Sequence, residues 1–330
     1  MRVYIVSDIH YASPAEQARH DHEFKSISNP IKRRLLRWYR DYIWLRDPFH
    51  KNHLLDQFLE HTGDADLVVA NGDYSCDSAF LGVSDPAACH SAKICLERLR
   101  QRFGDKFHAI FGDHELGKLS LIGNQGGLRL KSWKTAVHQL GLEPFWKIQL
   151  GDYFLVGVVS SLLALPIFEP EALDEEREDW RSLHAQHMAV IRDFFTALEP
   201  SRKVILFCHD PTALPFLWRD QEIRSKLGQI ERTILGHLHS PLFLWKSRIL
   251  SGMPPITFLG NSVRRFSSAL HEARLWKDFN VTLCPSLAGI ELLKDGGFLV
   301  MDLDPSGKKA VRIEKRRILR ENKKAPPGEP

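Results

Sequence analysis

Short apolar runs recur along the chain, at residues 3–6, 67–70, 107–111, 204–207 and 233–235. Each is too short for a helix, is rich in β-branched or aromatic side chains and stops at Gly, Asp or His, which predicts strands buried on both faces. Helical patterns lie between them. One covers 88–103, with Ile94, Leu96 and Leu99 as core candidates, and another covers 180–198. Strands alternating with helices predict a layered α/β fold. Residues 145–150 and 153–159, separated by Gly151-Asp152, predict a hairpin with a two-residue turn. Further strands are expected at 256–259, 298–303 and 310–313, so the expected form is a two-sheet βαβ-type sandwich flanked by helices.

Two segments interrupt this regularity. Asn29-Pro30 has the form of a helix start, with Asn as N-cap and Pro at the first helical position. The run after it places Ile31, Leu35, Trp38, Tyr42 and Leu45 on one stripe and Arg33, Arg37 and Arg40 opposite. Such a helix either buries its stripe on the core or serves as a lid or membrane-surface element. Trp38, Tyr39, Tyr42 and Trp44 beside several arginines suit headgroup or amphiphile contact. Arg33, Arg37, Trp38 and Arg40 are therefore substrate-lid candidates. A second aromatic and basic segment covers 266–279. The expected organisation is one domain over 1–318, with insertions at about 24–62 and 264–290 and a flexible tail at 319–330.

Composition narrows the partners. The 330 residues are 43% hydrophobic and 26% charged, which allows a large core in a soluble protein. A net charge of +4 is too weak to argue for nucleic acid or a membrane. Five scattered cysteines without a C-x-x-C pair fit a reducing compartment. Met1 runs directly into a strand, leaving no room for a cleaved signal, and the apolar stretch 154–168 is broken by Gly157, Ser160, Ser161 and Pro166. The expected location is cytoplasmic, with any membrane contact peripheral.

Five clusters of metal-ligand side chains carry the chemistry: Asp8-Ile9-His10, Gly72-Asp73, Gly112-Asp113-His114-Glu115, His209-Asp210 and Gly236-His237-Leu238-His239. Four follow an apolar run directly, so the ligands emerge where strands end, as in other α/β sites. Asp8 and His10 can bind one ion, and their mixed oxygen and nitrogen donors suit Mn, Fe or Zn. Asp73 offers two oxygens that can span two ions at about 3.5–4 Å, the separation at which they share a hydroxide and grip a phosphoryl group. One such histidine is usually an ordinary loop or core residue; an ordered set of them favours metal. His20-Asp21-His22-Glu23 matches no ligand spacing and reads as a solvated loop, and Gly123 to Gly127 as a plain turn. Asp77, Asp85, Cys76 and Cys208 lie near the clusters without an assignable role.

The order D-x-H, G-D, G-N-H-[DE], H, G-H-x-H resembles the signature of the calcineurin-like metallophosphoesterase superfamily, over Asp8 to His239. The resemblance implies two divalent ions, Mn first with Fe or Zn as alternatives. It implies Asp8, His10, Asp73 and His239 around one ion, and Asp73, Asp113, His209 and His237 around the other. His114 would lie outside them and stabilise or protonate the leaving oxygen. Asp113 stands where the family usually has Asn; its added charge should hold the second ion more tightly and shift metal preference or pH optimum. The implied activity is hydrolysis of a phosphodiester or pyrophosphate bond. The chain is also similar in general design to enzymes that split UDP-2,3-diacylglucosamine at the inner membrane surface in lipid A synthesis, which makes a phosphorylated, lipid-like substrate the leading expectation. A soluble phosphodiesterase or phosphatase acting on nucleotides or phosphoproteins is the alternative. A non-catalytic scaffold, as in a retromer subunit of this fold, would be expected to lack ligands or the catalytic histidine, and all are present here. Oligomeric state is not legible.

Overall fold

A computed structural model describes residues 1–19, 24, 27–63, 65–120, 125–254 and 261–318. The expected strand at 256–259, His20 to Glu23, Gly123 and the tail from 319 lie outside them. Two five-stranded sheets form the centre. The first contains β1 (Arg2–Val6), β2 (Leu67–Ala70), β3 (Phe107–Ala109), β9 (Gly297–Asp302) and β10 (Arg312–Arg317), in the order β10-β9-β1-β2-β3. The second runs in sequence order: β4 (Trp146–Leu150), β5 (Tyr153–Val158), β6 (Lys203–Cys208), β7 (Ile230–Leu235) and β8 (Val281–Leu283). β1, β2 and β3 are parallel, as are β5 to β8, while β9, β10 and β4 join antiparallel. The expected α/β sandwich is what forms.

Alternation within the apolar runs explains the layers. Val3, Ile5, Leu67, Val69, Leu155, Ile205, Phe207 and Ile234 turn inward and fill the space between the sheets. Val6, Val68 and Ala70 face the helices on one side, and Val204, Leu206 and Cys208 those on the other. A strand buried on both faces needs apolar side chains at every position, hence the uninterrupted runs. The hairpin turns at Gly151-Asp152, with Leu150 opposite Tyr153. The helix expected at 88–103 spans Pro86–Phe103, capped by Asp85, and buries Leu96 and Leu99 while Ile94 is half-buried. The helix expected at 180–198 spans Arg177–Thr196.

Asn29 caps the Pro30–Tyr42 helix as its sequence suggests, accepting from the N–H groups of Ile31 and Lys32 at 3.0 and 3.1 Å. Of its thirteen residues Leu36 is the buried one. The apolar stripe faces outward: Ile31 is 70% exposed, Leu35 62%, Trp38 55% and Tyr42 58%. Leu45 lies beyond the helix and is buried. Arg33 donates to the Ile27 carbonyl, and Arg37 sits 5.0 Å over the Phe24 ring. β8 falls within the 264–290 segment and is integral to the second sheet. No helix among the described residues is long and apolar enough to cross a membrane.

Candidate metal centre

The carboxyl ends of β1, β2, β6 and β7 and the segment after β3 converge at one edge of the sandwich. Backbone bonds lock the loops together: Asp8 N–H to Gly72 O at 3.1 Å, His10 N–H to Asp73 O at 3.0 Å and Gly236 N–H to His209 O at 2.9 Å. A parallel bridge from Ser7 to Ser286 ties the first sheet to the segment after β8. The His237 N–H donates to the Asp8 carboxylate at 3.1 Å, so ligands from both sheets meet directly.

Five of the seven candidate ligands have left-handed backbone: Asp8, His10, Asp73, His237 and His239, with φ between 49° and 60°. That conformation costs an L-residue about 1–2 kcal/mol and is commonest for Asp, Asn and His outside glycine. It turns the chain sharply, so D-x-H sends both side chains into one donor group and H-x-H sends one into each of two. The neighbouring glycines are fixed by crowding. A Cβ on Gly112 would lie 2.1 Å from Asp73 Oδ1, and one on Gly72, at φ 90°, would lie 2.7 Å from Gly112 Cα and from His209 Nδ1.

Two groups of donors result, Asp73, Asp113, His209 and His237 in one and Asp8, His10 and His239 in the other, each with its ligand atoms within 4.8 Å of one another. Asp73 Oδ2 lies 3.2 Å from His209 Nε2, and Asp113 Oδ1 3.3 Å from that nitrogen and 3.0 Å from His237 Nδ1. His239 Nε2 is 3.3 Å from Asp8 Oδ1. His10, Asp73 and His114 form a third, overlapping group. The histidine tautomers are set from outside: His209 Nδ1 donates to the Asn71 carbonyl at 2.6 Å, and His10 and His114 both turn Nδ1 to the Ser75 carbonyl, at 3.3 and 3.1 Å. This leaves Nε2 of each facing the centre, the arrangement that metal-ligating histidines use.

The donors fit divalent metal. His10 Nε2 and His239 Nδ1 are buried and have no hydrogen-bond partner among the described residues, and buried His209 Nε2 meets the Asp73 and Asp113 carboxylates at 3.2 and 3.3 Å. Buried polar atoms without partners are costly unless a ligand satisfies them. Burial pushes the Asp8 carboxyl up. Burial also acts against ionised Asp113, but His237, Lys118 and His209 hold it well below the carboxylate range. For Asp73, burial and Asp113 raise the pKa, while His114 and His209 lower it and prevail. Burial acts to lower His237, yet Asp113 and Asp210 bring it to about 9. Metal uptake by such a set displaces protons. His114 is different: burial brings it down to about 3.

Sequence reasoning gave several contributors no place in the centre. Glu115 is fully buried and accepts from the N–H groups of Gly112 at 2.7 Å, Asp73 at 3.0 Å and Tyr74 at 2.8 Å, stapling the β2 and β3 loops. Glu115→Gln places an amide donor against at least one of these N–H donors. We expect it to lower unfolding free energy by about 1–3 kcal/mol in urea titrations; an unchanged midpoint would show that the staple carries no stability. Asp210 lies 3.8 Å from His237 Nε2 and is held by Thr212. Lys118 contacts His114 Nε2. Trp44 packs on the His239 ring, 4.7 Å between centroids, so the segment that follows the Pro30–Tyr42 helix ends beside the centre. Asp85 is a helix cap paired with Arg19, and buried Asp77 accepts from Gly82 N–H. All five cysteines are free, and none is among the clustered donors.

A search of curated proteins finds no match. The family model for calcineurin-like phosphoesterases matches residues 1–241, nearly three quarters of the chain and every cluster described above. With that match and the converged Asp and His donors, the chain belongs to the calcineurin-like phosphoesterase family and is a metal-dependent phosphoester hydrolase.

Proposed function

We propose that the chain hydrolyses a phosphodiester or pyrophosphate bond in an amphiphile, such as UDP-2,3-diacylglucosamine, at a membrane surface. Asp8, His10, Asp73 and His239 hold one divalent ion, and Asp73, Asp113, His209 and His237 the other. Manganese is the first expectation, with iron or zinc as alternatives, because the donors mix carboxylate and imidazole. The observation that carries the reaction is the presence of two adjoining donor groups with buried, unpartnered imidazole nitrogens. A pair of ions held there would polarise the phosphoryl oxygens and acidify a shared water. The chain's own part is positional. Asp73 sets the spacing of the two groups, Asn71 and Ser75 fix the imidazoles, and His114, whose Nε2 lies 3.7 Å from Asp73 Oδ2, would stand beside the leaving oxygen.

The amphiphile is supported by the outward stripe of Ile31, Leu35, Trp38 and Tyr42. Leu292 and Leu293 are exposed too, and the Leu292 N–H bonds to the Ile43 carbonyl at the end of the same helix. Trp245, Ile249 and Leu250 are exposed on and just after the Pro241–Ile249 helix, which follows Ser240. Ser240 is bound to Asp295, which also receives the Ile290 N–H. Apolar residues on three neighbouring segments thus flank the centre, interspersed with exposed Lys32, Arg34, Arg46 and Lys294. A bilayer surface with anionic headgroups matches such a mixture. We expect Leu35→Asp with Trp38→Asp to raise KM for UDP-2,3-diacylglucosamine by about tenfold or more relative to bis(p-nitrophenyl) phosphate. Equal effects on both substrates, or turnover of the soluble diester alone, would favour a soluble phosphodiesterase.

A further inference from the structure

Three carboxylates, Asp8, Asp73 and Asp113, enter the two donor groups. Against the four positive charges of two divalent ions they leave a single net charge to attract an anionic phosphate and its attacking oxygen. Asp113 creates a second deficit, because a carboxylate has no hydrogen to give a phosphate oxygen, whereas an amide at that position would have two.

Lys118 is placed to supply both. The Asp113–Leu116 helix closes with the Gly117 N–H on the Asp113 carbonyl at 3.0 Å. The backbone of Lys118 is then anchored, its carbonyl accepting from Gly127 N–H at 3.1 Å while Leu119 bridges to Gly126. From this fixed base the half-buried side chain brings Nζ to His114 Nε2, and that nitrogen lies 3.7 Å from Asp73 Oδ2. Because His114 gives its Nδ1 hydrogen to the Ser75 carbonyl, Nε2 accepts and the ammonium donates. An ammonium has three hydrogens, of which His114 takes one. The charge also reaches Asp113, where with His237 it overcomes burial and holds the carboxyl down, and Asp77, where burial prevails and the carboxyl stays well up.

We propose that Lys118 binds the substrate's phosphate oxygens beside His114, providing the positive charge and the hydrogen-bond donor that Asp113 withholds. This inference rests on the two-metal reaction proposed above. It is tested by calorimetric titration of inorganic phosphate into manganese-loaded protein, with metal content and melting temperature measured on the same samples. Lys118→Met weakens phosphate binding by about tenfold to a hundredfold, with metal content unchanged, and Lys118→Arg retains most of the affinity. In an Asp113→Asn background the same Lys118→Met change costs less, because the amide already donates and one negative charge is gone. Unchanged affinity in Lys118→Met, or an equal loss in both backgrounds, overturns the role of Lys118 alone. A parent protein that takes up no metal overturns the two-metal reaction and this inference with it.

Discussion

Asp73→Asn is expected to cost the protein at least one of its two metals and to reduce phosphodiester hydrolysis by about a hundredfold to a thousandfold. The substitution is small, which makes it informative. Asn accepts left-handed backbone as readily as Asp, so φ 60° at this position adds no strain on substitution. Asn Oδ1 can still accept the His114 N–H, now 3.0 Å from Asp73 Oδ1. What changes is the other oxygen, 3.2 Å from His209 Nε2, which becomes an amide donor pointing at ligands. One negative charge and the capacity to span two ions disappear together. Metal centres contribute several kcal/mol to phosphoryl transfer, and each 1.36 kcal/mol is about a factor of ten. Metal analysis beside hydrolysis rates checks this; two retained ions with near-normal turnover would mean that Asp73 does not link the sites.

His114→Ala is expected to lower kcat by about 10²–10⁴ while metal content stays at the parent level. His114 Nε2 is 3.7 Å from Asp73 Oδ2, and its ring lies 4.6 Å from that of His10, so it borders the donor groups. Lys118 already occupies its Nε2, and Ser75 its Nδ1, which fits a residue that orients charge beside the ions better than one that ligates them. The overlap of His10, Asp73 and His114 makes the contrary outcome concrete. Loss of metal in His114→Ala would move this histidine into the ligand set.

Much of this arrangement was legible because the physics that shapes it acts along short stretches. β1, β2 and β6 are buried on both faces, so they read as apolar runs, and each hands over to a ligand within a few residues. Asn29 announced its helix start because capping is local, whereas Asp85 had no assigned role in the sequence and caps the Pro86–Phe103 helix only in the fold. The direction of the Pro30–Tyr42 stripe was not legible: periodicity shows that a helix has two faces, not which of them meets the protein. Glu115 stood inside a recognised cluster, but its three partners lie on two loops that only the sheet brings together. Lys118 required the path of the chain after Gly117, where a turn returns its side chain to His114.

The most direct measurement is anomalous diffraction from crystals of the manganese-loaded protein, combined with elemental analysis in solution. Two ions per chain, about 3.5–4 Å apart and with Asp73 between them, are the result this account predicts. A single ion, or none between Asp8 and His237, would contradict it.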